Sequence, residues 1–315
     1  MMSDLFTSFQ SSFNEALLLA LLAAGTVAIL VSFLLSRGIV SPVRVLTNAS
    51  QRIAEGQYGE RVLVAGSDEL GLLARSFNQM AEKMEQTEAM RRQLIGDVTH
   101  ELRTPLTAIK GSMEGLIDGV LPASQETYQQ IHQEADRLAR LVDDLQELSR
   151  VESGAFILDI HPIAVSSIVK TTLKRFTANA LTKGIELNSD LPADLPLVLA
   201  DQDRITQVLT NLVGNALQYT PSGGKVTLLS SLHKDEVHIS VIDNGVGIPA
   251  EHLPHLFTRF YRVDKSRSRQ TGGGSGIGLT IARYLVEAHG GHIWAESGGD
   301  RKGSNFTFSL NVAGK

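Results

Sequence analysis

The 315-residue chain is 43% hydrophobic and 20% charged with a formal net charge of -5, an ordinary globular balance that argues against direct nucleic-acid binding. It has no cysteine, which excludes disulfides, thiolate metal sites and cysteine nucleophiles, and removes any need for an oxidising compartment. A chain of this length is expected to hold about two to four folded units.

No charged residue occurs from Ala16 to Ser36. At about 1.5 Å per residue, a helix over that run matches the ~30 Å hydrocarbon core of a bilayer, so a membrane span is predicted over residues 16–36. A buried core helix or a cleaved signal peptide shares the apolarity, but the run is long for the first and lacks the basic leader of the second. Asp4 and Glu15 precede the span, whereas Arg37, Arg44 and Arg52 follow it. The positive-inside bias then places the C-terminal bulk in the cytoplasm, which makes the cell inner (cytoplasmic) membrane the expected location, crossed once.

After the span, Ile39, Val43, Leu46 and Ile53 recur at heptad-like spacing beyond Pro42, predicting a short helix. A connector with Gly56, Gly59 and Gly66 leads to a second helix opening at Ser67-Asp68-Glu69, with Leu70, Leu73, Phe77, Met80 and Met84 as its seam. Two such helices after a span resemble a HAMP signal relay, notably in Pro42, in Asp68-Glu69-Leu70-Gly71 and in Phe77-Asn78-Gln79-Met80. A plain amphipathic hairpin is the simpler alternative.

Helical periodicity continues from Glu82 to about Gly119 through Leu94, Val98, Leu102, Leu106, Ile109, Met113 and Leu116. Beyond Gly119 and Pro122, a second helix is predicted from about Ser124 to Glu152, with Ile131, Ala135, Leu138, Leu141, Leu145 and Leu148 on its buried stripe. Two long helices with one apolar stripe each make half a core, so two copies are expected to pair into a four-helix bundle, giving a homodimer. His100 lies two positions from Val98 and from Leu102, which at ~100° per residue turns it about 200° from the stripe, into solvent.

A lone surface histidine usually does nothing, but the string Asp97-Val98-Thr99-His100-Glu101-Leu102-Arg103-Thr104-Pro105-Leu106 resembles the H box of the two-component sensor histidine kinases. A neutral imidazole, with a pKa near ~6.5, offers a nucleophilic ring nitrogen without prior deprotonation. Glu101 is placed to accept the proton of the other ring nitrogen, or else is a surface helix former. Pro105 removes the amide hydrogen that would bond the Glu101 carbonyl, so a bend just past His100 is expected. The resemblance implies that Thr104 orients water for removal of phosphate from the phosphorylated partner; back-bonding to its own helix is an equal alternative.

Ser153-Gly154 breaks the helical pattern, and β-type runs such as Lys225 to Leu232 and Val237 to Asp243 then alternate with helical ones such as Asp201 to Leu217. Four blocks stand out: Asn211-Leu212-Val213-Gly214-Asn215-Ala216-Leu217-Gln218-Tyr219-Thr220, Asp243-Asn244-Gly245-Val246-Gly247-Ile248, Phe257-Thr258-Arg259-Phe260-Tyr261-Arg262, and Gly272-Gly273-Gly274-Ser275-Gly276-Ile277-Gly278-Leu279. Each alone has a bland reading as a cap, turn or packing element. Together and in this order they resemble the ATP-binding fold shared by histidine kinases, gyrase, Hsp90 and MutL.

That resemblance implies ATP with Mg2+ ligated by Asn215 and assisted by Asn211, adenine read by Asp243, and Tyr219 stacked on the base. Gly245 and Gly247 would let the chain pass close to the base, and Gly274, Gly276 and Gly278 would offer amides to phosphate. A polar stretch from Val263 to Gln270 would be a mobile lid hinged at Gly272 to Gly274, with Arg262 or Arg267 neutralising terminal phosphate charge. Gln218 stands where the family often has lysine or arginine, which puts one phosphate contact in doubt.

The expected fold is therefore multidomain. A tail over residues 1–15 and the span over 16–36 precede a HAMP coiled coil over 37–89. A helical-hairpin dimerisation and phosphotransfer domain covers 90–153, and an α/β sandwich of the GHKL ATPase type covers 154–315 and swings about Glu152-Ser153-Gly154. The family implies autophosphorylation on His100 and transfer to an aspartate of a response-regulator receiver domain. An ATP-driven conformational machine, a degenerate scaffold and a protein acting mainly as phosphatase are the rivals. Met1 to Glu15 leaves no room for an external sensor, so an N-terminally shortened chain is expected, with Phe6, Phe9 and Phe13 left from a sensor's exit helix.

Overall fold

The computed structural model describes residues 2–63, 68–152, 157–263 and 275–314, with side chains from residue 14 onward. It divides into two compact units, Met1–Gly96 and Asp97–Lys315.

In the first unit, helix α1 (Met2–Leu35) runs through a π-helical turn (Ser36–Val40) into α2 (Ser41–Ala54) without a break. The sequence predicts separate elements here. Pro42 sits in the first turn of α2 and has no N–H to give, and the widened turn, in which the Ser41 amide bonds the Ser36 carbonyl, carries the helix across that missing donor. The helical run Asn14–Ala54 is long and apolar enough to cross a membrane: its most apolar stretch has a mean hydropathy of 2.6 and is wholly unburied.

Helix α3 (Glu69–Ile117) contributes to both units and opens on Asp68, whose Oδ1 accepts from the Gly71 amide at 2.9 Å. Its buried apolar side chains in the first unit are Ala74, Phe77 and Ala81, which cluster with Ala49, Ile53 and Val62. Of the predicted coiled-coil seam, Phe77 is buried and Leu70 half-buried, whereas Leu73, Met80 and Met84 are exposed in the single chain, where a seam between copies has no partner. Asn78 fixes the connector by bonding both the amide and the carbonyl of Val62, at 2.9 and 2.8 Å.

In the second unit, α3 continues to Ile117 and α4 (Gln125–Glu152) follows, capped by Ser124, whose hydroxyl accepts from the Thr127 amide. Within one chain the hairpin covers only part of its apolar surface: Leu141 and Leu148 are buried, whereas Leu106, Met113 and Ile117 are exposed.

The sandwich starts with β1 (His161–Ile163), α5 (Val165–Lys183), β2 (Glu186–Asp190), β3 (Val198–Ala200) and α6 (Gln202–Tyr219). It continues with β4 (Lys225–His233), β5 (Glu236–Asp243), a 3-10 turn (Ala250–His255), α7 (Gly278–Ala288), β6 (Ile293–Glu296) and β7 (Ser304–Asn311). Strands β1 and β3 form a small antiparallel pair, and the main sheet has the order β2-β4-β5-β7-β6, antiparallel except for β2 beside β4. Alternation along β5 sends Val237, Ile239, Val241 and Asp243 inward, toward a helical layer supplying Ile168, Ile205, Leu209, Leu212 and Leu285, all fully buried. This two-layer sandwich agrees with the architecture expected from the sequence, and the inward register of β5 carries Asp243 to the end of the core.

Candidate functional site

His100 is exposed on α3. Pro105 is buried inside the same helix, which continues across it although the Glu101 carbonyl loses its regular donor. The Thr104 hydroxyl donates to the His100 carbonyl at 3.2 Å, the back-bonded arrangement. Glu101 turns toward α4, where the Arg137 guanidinium lies 3.9 Å from its carboxylate.

A second group of predicted residues gathers at the C-terminal end of α6. Asp201 caps this helix, its Oδ1 accepting from the amides of Asp203 and Arg204 at 3.1 Å each. Burial pushes the Asp201 carboxyl up, but the amides of Arg204, Asp159 and Asp203 and the Arg204 guanidinium outweigh it and hold the group below its ordinary range. Asn211 donates its side-chain amide to the Gly278 carbonyl at 2.9 Å, tying α6 to the start of α7. Asn215, one turn on, is half-buried, and its side chain makes no hydrogen bond among the described residues.

Asp243 is 6% exposed. One of its oxygens accepts from the Gly245 amide at 2.8 Å and the other from the Ser304 hydroxyl, which fixes the carboxylate and leaves lone pairs for a further N–H donor. The glycines beside it are required by protein contacts. A Cβ on Gly245 would meet the Tyr219 carbonyl oxygen at 2.4 Å, and one on Gly247, where φ is +71°, would meet the Gly299 oxygen at 2.1 Å. Tyr219 is 44% exposed, and its carbonyl accepts from the Val246 amide.

Gly276, with φ +75°, lies against Phe260, whose amide bonds the Gly276 carbonyl at 3.0 Å and whose own φ is +59°. This pairing joins the Phe257–Arg262 block to the glycine turn, and Phe257 packs edge-on against Phe306. Arg262 is half-buried. Gly274, Arg267, most of the predicted lid and the Ser153-Gly154 hinge lie outside the described residues. Among the described residues no group of three or more His, Cys, Asp or Glu is placed to hold a metal ion; an asparagine-centred site is outside that test.

Sequence reasoning missed the seam between α4 and the sandwich. Asp144 accepts from the Ser275 hydroxyl, Glu147 meets Arg204 at 2.6 Å, and Arg259 Nε lies 2.6 Å from a Glu152 oxygen at an angle that misses a hydrogen bond. Asp144, Glu147, Leu148, Val151 and Glu152 form one helical face, legible as a stripe but indistinguishable in sequence from a solvated acidic edge.

Three family models match the chain in order: the HAMP domain over residues 34–86, the His Kinase A (phospho-acceptor) domain over 90–154, and the histidine kinase-, DNA gyrase B- and HSP90-like ATPase over 200–314. The signal transduction histidine-protein kinase BaeS of Escherichia coli (strain K12) is 38% identical over 286 residues, covering 91% of this chain; the chain spans 60% of the length of that relative. Among solved structures, the Acinetobacter baumannii histidine kinase AdeS matches with a TM-score of 0.57 at 28% identity, over 68% of this chain and 98% of that one. Histidine kinase ThkA in complex with response regulator protein TrrA matches with a TM-score of 0.60 at 25% identity, over 73% of this chain and 64% of that one.

Proposed function

The chain belongs to the two-component sensor histidine kinases, and from that membership we propose that it uses ATP to phosphorylate its own His100 and passes the phosphoryl group to an aspartate of a response-regulator receiver domain. The observation that carries the reading is an exposed histidine on a helical stem, inside an H-box string, followed by the ordered nucleotide-fold blocks. One ring nitrogen of His100 attacks the terminal phosphorus while the bond to the ADP oxygen breaks and its electron pair leaves on ADP. The proton of the other ring nitrogen passes to Glu101, leaving a phosphoramidate whose ring is neutral and whose negative charge stays on the phosphoryl oxygens.

Asp243 suits the exocyclic amine of adenine, because its carboxylate is already fixed by two donors. Asn215 suits a hard cation through its unengaged amide oxygen, and Asn211 sets the glycine turn beside it. Mg2+ bound there would neutralise terminal phosphate charge. Tyr219 is exposed enough to stack on the base, Gly276 and Gly278 shape the turn assigned to phosphate, and Arg262 is assigned to the terminal phosphate.

The working division is a tail over 1–15, a span over 16–36, HAMP over 37–89, the phosphotransfer hairpin over 90–153 and the ATP-binding domain over 154–315. The chain is assigned to the inner membrane by its apolar helix and to a homodimer by the stem residues Leu106, Met113 and Ile117 left uncovered in one copy. The complex of ThkA with TrrA favours a receiver-domain partner. The Glu101-x-x-Thr104 spacing adds a phosphatase activity, in which Thr104 leaves the His100 carbonyl to orient water.

The test is incubation of the purified chain with ATP carrying a tagged terminal phosphate. Acid-labile, alkali-stable label that disappears in His100→Gln is expected. Undiminished label in that variant overturns the reading.

A further inference from the structure

Three acidic side chains of α4 meet the sandwich. Asp144 accepts from the Ser275 hydroxyl, Glu147 Oε1 accepts from the Arg204 guanidinium at 2.6 Å, and Glu152 lies 2.6 Å from Arg259, which also reaches the Tyr284 hydroxyl at 3.2 Å. Leu148 and Val151, on the same face of α4, are buried. Glu147 and Glu152 thus face arginines, whereas Asp144 faces the turn into α7 that is assigned to phosphate. At that turn the Ile277 amide donates to Ser275 Oγ at 3.2 Å, and the Ser275 hydroxyl donates onward to Asp144. Two donors at the positive end of a helix, of the kind an anion uses, are therefore engaged in series on a carboxylate of the stem.

We propose that the α4 seam is an autoinhibitory clasp, in which the Asp144 carboxylate takes at Ser275 the place of a nucleotide phosphate, so that closing the clasp and binding the triphosphate exclude one another. The inference rests on the assignment of the Ser275–Gly278 turn to phosphate and adds a regulation of that site. One hydroxyl hydrogen cannot serve two anions, and a carboxylate held beside a phosphate repels it. The clasp is also built to open. Burial holds the Asp144 carboxyl above its ordinary value and the Ser275 bond opposes this only in part, so the carboxylate regains hydration when it leaves the seam. Glu147, Arg204, Leu148 and Val151 hold the same seam without touching the turn. Because docking and nucleotide binding are linked, loosening these contacts favours the nucleotide just as loosening Asp144 does.

The experiment titrates the full chain in detergent micelles with the imido analogue of ATP and Mg2+, which fills the site without turnover, and in parallel with adenosine, which has no phosphate. Asp144→Ala is expected to tighten the dissociation constant for the analogue about tenfold, the gain when an open form of about one molecule in ten becomes the whole population. Glu147→Gln weakens only the pair with Arg204 and should tighten it about two- to threefold through the shared opening, which carries the test if Asp144→Ala fails to fold. Adenosine should bind all three chains equally, because it makes no demand on the turn. Unchanged or weaker binding of the analogue in the variants, or an equal gain for adenosine, overturns the clasp and leaves the kinase reading standing. A gain in Asp144→Ala with none in Glu147→Gln reduces Asp144 to a local repulsive charge and overturns the clasp as well. A wild-type chain that binds adenosine no more weakly than the analogue overturns the assignment of the turn to phosphate, and the clasp with it.

Discussion

The carboxylate of Asp144, on α4, accepts a hydrogen bond from the hydroxyl of Ser275, which opens the glycine turn into α7 and also accepts from the Ile277 amide. A stem residue is thereby joined to the turn assigned to phosphate. Burial holds the Asp144 carboxyl above its ordinary value of 3.8; the Ser275 bond opposes this, Asp143 adds to it and Arg140 again opposes.

That shift has a definite sign. Between pH 3.8 and the raised value, the folded state binds more protons at Asp144 than the unfolded state, so this group's contribution to stability falls as pH rises through the window and levels off above it. Asp144→Asn keeps an oxygen for Ser275 and has no such dependence. Thermal unfolding midpoints from about pH 4 to 7 should therefore move in favour of the variant as pH rises. A constant difference between the two chains would contradict the assignment.

Asp201 carries the opposite sign. Its folded value is depressed below 3.8, so its stabilisation is present above that pH and is lost as pH falls through the folded value. Asp201→Ala removes the cap of α6 and the acceptor for the Asp159 amide, and should cost about 1 kcal/mol near neutral pH by denaturant unfolding. The deficit should shrink in acid, where the wild-type carboxyl is itself protonated.

The two-layer sandwich and the stem were legible because period-two strands and three-four helices leave their mark residue by residue: Val237, Ile239 and Val241 alternate inward as their spacing predicts, and His100 faces solvent for the same reason. The packing of α3 against α2 within one chain was not legible. Nothing local distinguishes Ala74 and Ala81 as buried from Leu73 and Met80 as exposed, since that choice depends on how closely α2 and the Val62 connector approach. The α4 contacts with Ser275, Arg204 and Arg259 were hidden likewise, because charge pairs far apart in sequence have no periodic signature.

Gly247 tests the backbone reading of the Asp243–Ile248 turn. Its φ of +71° disfavours any side chain, and a Cβ would stand 2.1 Å from the Gly299 oxygen. Gly247→Ala should cost about 3 kcal/mol or more, combining left-handed strain with overpacking, and should lower the unfolding midpoint even without nucleotide. Gly119, also left-handed but with open space around its Cβ position, should lose only about 1 kcal/mol on the same substitution. Equal losses at the two sites would mean that crowding against Gly299 contributes little.

Asp243 separates recognition of the base from support of the turn. Its two oxygens hold the Gly245 amide and the Ser304 hydroxyl, so Asp243→Ala strands a largely buried amide and should cost about 1–3 kcal/mol of stability as well as nucleotide binding. Asp243→Asn is the sharper test. The amide oxygen can still accept from Gly245, and the hydroxyl of Ser304 can turn to accept from the new NH2 group, so the turn survives. What is lost is a charged acceptor for the exocyclic amine of adenine, worth about 1.5–3 kcal/mol, or roughly a ten- to hundredfold weaker dissociation constant for ATP in equilibrium titration. If Asp243 reads that amine, GTP, which presents a carbonyl at the corresponding position of its base, should gain on ATP in the asparagine variant. An unchanged ATP to GTP ratio would place Asp243 in the turn alone.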